Sequence, residues 1–144
     1  MLRAGLFAFA AASIFLGAAL YINIVEQPAR LKLEPRASLR EWTPSNRRGF
    51  AMLALLAVLS AILAYADFAH SGDMRWPIGG TLMLLTWPYA YFVITPVNVM
   101  LHDVPPGEPA SSVRELLHEW GLLEAGQTAI GLAAWLIFLW SLTG

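Results

Sequence analysis

Four long apolar runs, none holding a lysine or arginine, constrain this chain more than any other feature. They cover about residues 4–25, 49–69, 77–100 and 122–142. A helix rises about 1.5 Å per residue and a bilayer's hydrocarbon core is about 30 Å thick, so roughly 20 residues suffice to cross it. Each run meets that length. In lipid the backbone polar groups must be satisfied internally, which a helix does within its own segment. The sequence therefore predicts an all-α integral membrane protein. Composition agrees, with 58% hydrophobic and 13% charged residues. That is about half the 25% charge of an ordinary soluble domain, too little to coat a water-facing surface.

The 144 residues are expected to form a single four-span domain over 1–144. The first run follows Arg3 and contains Ala8 and Ala10, a pattern shared with secretory signals. It is longer than the roughly 7–15 residues of a signal core, so a retained span is expected. Lysine and arginine give the orientation. Arg30, Lys32, Arg36, Arg40, Arg47 and Arg48 fall between the first two runs and Arg114 between the last two, against Arg3 and Arg75 on the other side. Seven against two places 26–48 and 101–121 in the cytoplasm as loops. Both termini then lie on the outer side, as in a bacterial inner-membrane protein. Trp76 and Trp140 mark the outer boundary and Trp42 and Trp120 the inner one, since indole rings favour the headgroup level. The short outer connection at about His70–Trp76 makes neighbouring helices antiparallel, giving a four-helix up-down bundle. Val104–Pro109 interrupts any helix. Ser112-Val113-Arg114-Glu115 then reads as a capping box that starts the last helix in the interface, before Leu122.

The chain has no cysteine. Disulfides, thiolate nucleophiles, Cys-bound zinc, iron–sulfur clusters and the quinone-coupled thiol oxidases are thereby excluded. A net charge of −1 offers nothing to nucleic acid.

Polar groups inside a membrane are costly, so each one is informative. Tyr91, Thr95, Asn98 and His102 follow a four-three-four spacing that puts them on one helix face. Asn23, Glu26 and Arg30 do the same on the first run, and Trp120, Glu124, Gln127 and Gly131 on the fourth. With alternating helix directions, Glu26, Asn98, His102, Glu124 and Gln127 converge at the cytoplasmic end. Glu26, Asn98, Glu124 and Gln127 are the candidate catalytic groups, and Asn23, Arg30, Tyr91 and Thr95 the candidate substrate contacts. A structural alternative stands beside this: Asn and Gln serve as interhelical glue, worth about 0.6–2 kcal/mol a bond. Glu26 has its own alternative, pairing with Arg30, Arg47 or Arg48. A metal is a further option, since His102, His118, Glu26 and Glu124 would make a mixed mononuclear site. Glu115 and His118 form one Glu-x-x-His pair, whereas di-iron bundles need two. Pro88 and Pro96 are expected to kink the third helix, opening a pocket beside Trp87, Tyr89, Tyr91 and Phe92 for a flat apolar ligand.

The motifs carry a resemblance. Tyr21-Ile22-Asn23-Ile24-Val25-Glu26-Gln27-Pro28-Ala29-Arg30 resembles the end of the first helix in the anthrone-oxygenase-like family. Ile94-Thr95-Pro96-Val97-Asn98 with Leu101 resembles its third-helix pattern, and Leu116-Leu117 with Trp120-Gly121 the start of its fourth. Where that family commonly has a histidine and, three residues on, an arginine, this chain has Glu124 and Gln127. The resemblance implies oxidation of an anthrone-type polycyclic phenol by O₂, with no evident organic cofactor. Glu26 would be the base, Asn98 and Gln127 would bond the phenolate, and Arg30 would stabilise it. The other reading is a non-enzymatic subunit of a larger membrane complex or a lipid- or pigment-binding bundle. Expected partners are membrane lipids, an apolar aromatic substrate, and further copies or a larger complex.

Overall fold

The computed structural model describes residues 3–144, which form four helices: α1 (Ala4–Leu31), α2 (Pro35–Ser71), α3 (Arg75–His102) and α4 (Ala110–Thr143). Each is long and apolar enough to cross a membrane. Among the described residues there is no strand. Each helix packs against its two neighbours, α1 also closing on α4, and the α2–α4 diagonal is slight. The chain is an all-α, up-down four-helix membrane bundle. Arg3 and Gly144 share its near end with the 72–74 connection; the turns 32–34 and 103–109 lie at its far end.

The expected loop 26–48 is mostly helix. α1 continues to Leu31, and α2 begins at Pro35 after a turn of three residues. Glu34 explains the restart. Its carboxylate accepts from the amides of Arg36 at 3.0 Å and Ala37 at 3.3 Å, while Pro35 needs no amide at a helix start. At 37 residues α2 is about 55 Å long, well beyond the hydrocarbon thickness. It ends on Gly72, whose φ of 70° suits a left-handed cap.

Two further expectations are corrected. α4 starts at Ala110 with Pro109 before it and no side-chain cap, so Ser112–Glu115 lies inside the helix instead of capping it. α3 stays α-helical past Pro88, which leaves out one ladder bond, and then widens at Ala90–Ile94, just ahead of Pro96, into one π-turn closed by the Thr95 amide on the Ala90 carbonyl. α1 has a matching turn at Ile22–Glu26, closed by Gln27 on Ile22. In both, the closing residue precedes a proline, Pro28 or Pro96. Proline lacks a donor and crowds the carbonyl one turn back, so the ladder opens there and takes in an extra residue. The insertion rotates the helix faces beyond it by about 100°.

Small residues set the packing of the near half. Ala8, Ala12, Ala57, Ala64 and Ala134 surround Phe15, Trp76 and Phe138. A Cβ on Gly79 would stand 2.5 Å from the Phe138 ring, and one on Gly131 would stand 2.6 Å from Phe15. Rings seated on glycines allow the close approach on which helix association in lipid depends. Asp67 of α2 caps α1 from outside, accepting from the Gly5 amide at 2.7 Å and Arg3 at 3.3 Å. In the far half the core is Trp42, Ile94, Leu101, Leu117 and Trp120.

Candidate active site at the far end of the bundle

Arg30 is 2% exposed, and its guanidinium organises the far end. It donates to the carboxylates of Glu26 and Glu41 and, at 2.6 Å, to Oε1 of Gln27. Its plane lies over the Trp120 ring, 5.2 Å from the centroid. The fork geometry of guanidinium satisfies several acceptors at once, and the two carboxylates compensate the buried charge. Glu26 is one turn before Arg30, and Ser45 of α2 donates to the same Glu26 oxygen. Gln27 donates to the Leu117 carbonyl at 2.7 Å and Ser38 to the Arg30 carbonyl at 2.8 Å. These bonds tie α1, α2 and α4 together.

Glu124 and Gln127 lie one turn apart on α4, 6% and 5% exposed. The Glu124 backbone carbonyl accepts from Thr128 at 3.2 Å. Its carboxylate, and the Gln127 side-chain amide, bond no other described side chain or backbone group. Two cavities meet them. One, of about 10 Å³ of water-accessible space, lies between Glu124 and Glu26 and is walled by Ser45, Asn46, Phe50 and Trp120. It has room for about one water molecule. The other is a groove of about 220 Å³ at the α2–α3 seam, lined by Phe50, Ala54, Thr86, Trp87, Ala90, Tyr91, Thr95 and Gln127. Phe50 is the wall they share.

The predicted residues divide accordingly. Glu26, Arg30 and Glu124 gather at the small cavity and network, and Tyr91, Thr95 and Gln127 at the groove. Tyr91 is 67% exposed and packs edge-on to Phe92 at 5.0 Å. The Thr95 hydroxyl is bonded to the Ala90 carbonyl at 3.0 Å. Asn23 acts as interhelical glue, its amide donating to Thr128 and to the Ala19 carbonyl, both at 2.8 Å. Asn98 lines neither cavity, and its buried Oδ1 has no partner among the described residues. The mixed metal site does not form: among the described residues no three His, Asp or Glu come together. His102 packs on Trp42, with centroids 4.9 Å apart. His118 faces a separate groove beside Asn23 and Gln27. Gln27, Glu41, Ser45 and Phe50 join the site without having been expected from the sequence. Glu41 and Ser45 are a turn apart, a spacing readable only once residues 35–48 are known to be helix.

Residues 42–137, about two-thirds of the chain, match the sequence profile of the family described as anthrone oxygenase. The chain belongs to the anthrone oxygenase family. The matched stretch holds Asn98, Glu124, Gln127 and every residue of the groove, while α1, with Glu26 and Arg30, lies outside it. Membership in the anthrone oxygenase family points to a membrane oxygenase-like role. Comparison with curated proteins and with solved structures gives no match.

Proposed function

We propose that this protein oxidises an apolar polycyclic phenol of the anthrone class to its quinone with O₂, at the groove between α2 and α3. The far end would face the cytoplasm, where most of the lysines and arginines lie. One observation carries the reading: an apolar groove at the α2–α3 seam reaches Gln127, with the Glu124 carboxylate, unpaired among the described residues, one turn away. An anthrone partitions into the bilayer, so access from lipid suits it. Trp87 and Tyr91 offer faces for flat rings.

The Gln127 amide donates to the substrate oxygen, where negative charge collects as a proton leaves the ring methylene. Glu124 lies across the Phe50 wall from the groove, so it accepts that proton once the Phe50 ring turns aside. Glu26, the base implied by the resemblance, is already held by Arg30 and Ser45, so the role passes to Glu124. The substrate carbanion supplies electrons to O₂, a C–O bond forms, and the peroxide anion takes the proton back. Loss of the second methylene proton with cleavage of the O–O bond gives the carbonyl and releases hydroxide, which leaves as water. One anthrone and one O₂ thus yield one quinone and one water.

The test is quinone formation and O₂ uptake by the protein in nanodiscs given an anthrone. Turnover supports the reading, and absence of turnover in well-folded protein removes it.

A further inference from the structure

We infer that Ser45 and Glu26 form a proton relay, through the small cavity, between Glu124 and the aqueous phase at the far end. The inference rests on Glu124 being the base. Glu124 has no hydrogen bond from its carboxylate to a described residue, yet it shares with Glu26 and Ser45 a cavity the size of about one water molecule. A water there can accept from Glu124 and donate to Ser45. The Ser45 hydroxyl already donates to Glu26, and a hydroxyl can accept one proton while passing on another. The Glu26 side chain is 22% exposed, so it can release the proton to solvent. Arg30 cannot serve as a carrier, since guanidinium does not deprotonate in proteins. It positions Glu26 and Glu41 instead.

The overall oxidation returns each proton it removes, so the relay is not needed for the stoichiometry. It sets how fast Glu124 exchanges its proton with water. Glu124 takes a proton from the substrate carbon, passes it to the cavity water, and receives another from solvent before the carbanion is reprotonated. With O₂ excluded, the ring methylene should then acquire deuterium from D₂O.

The experiment measures that wash-in by mass spectrometry in anaerobic nanodiscs, beside aerobic turnover, after subtracting the protein-free rate. Wild type should exchange. Ser45→Ala and Glu26→Gln should lose at least tenfold in exchange and much less in turnover, and Ser45→Thr, which keeps the hydroxyl, should restore it. Should Glu26→Gln fail to fold through loss of the Arg30 pair, Ser45→Ala and Ser45→Thr still decide. Exchange equal to wild type in Ser45→Ala, or none in wild type, overturns the relay. Wild-type exchange without quinone formation would instead overturn the oxygenase reading while leaving the relay standing.

Discussion

Arg30 is the residue on which the far end depends. Its side chain is fully buried against Glu26, Glu41, Gln27 and Trp120. Removing Arg30 leaves Gln27 without its partner and Glu26 and Glu41, both partly exposed, side by side, a loss of about 1–3 kcal/mol. Arg30→Met should therefore lower unfolding stability by that amount, read by denaturant titration in mild detergent. Arg30→Lys should recover only part of it, because ammonium cannot reproduce the fork or the stacking on Trp120. A stability equal to wild type in Arg30→Met would mean the network is not formed. From the sequence, Glu26 and Arg30 are legible as an i,i+4 pair. That Gln27 joins them is not, because Pro28 marks a disturbed ladder without saying that it takes the form of a π-turn at Ile22–Glu26, which shifts the face beyond it.

At the scale of the helices, the spans were legible because hydropathy and length decide them. The extents were not, because polar helix looks like loop to hydropathy: residues 35–48 are the first turns of α2. Glu34 starts that stretch, and the Arg36 amide, chiefly, holds its pKa below the usual 4.5. A carboxylate with a lowered folded pKa adds stability that is full above pH 4.5 and is lost as pH falls through the folded value. Glu34→Gln should therefore weaken the protein at neutral pH and flatten its acid limb below pH 4.5, measured by thermal unfolding across pH. The glycines divide in the same local way. Gly79→Ala must displace Phe138 and should cost about 1–3 kcal/mol by overpacking. Gly17, with nothing within 4 Å of a Cβ, should accept alanine with a gain of up to about 1 kcal/mol. Equal effects of the two in a denaturant series would argue against the ring-on-glycine packing. Ala8 and Ala12 of the same helix are buried in the bundle, whereas Gly17 is exposed.

For the whole molecule, closing α1 onto α4 sets the Arg30 network beside Glu124, and packing α2 against α3 forms the groove at Gln127. Helix periodicity with alternating directions brings Glu26 and Glu124 to one level, where they share a cavity, but the same periodicity groups Gln127, Asn98 and His102 with them, and these line no part of it. The division of labour between the two carboxylates was not readable, since it depends on which of them finds a partner. Glu26 finds Arg30 and Ser45, and Glu124 finds none among the described side chains. The most direct measurement of the central claim is O₂ consumption by the purified protein in nanodiscs with an anthrone, wild type beside Glu124→Gln. Loss of a positioned base costs about 10²–10⁴ in rate, so the variant should fall by that factor while keeping its unfolding midpoint. Wild-type turnover that survives unchanged in Glu124→Gln would contradict the account and move the base elsewhere in the bundle.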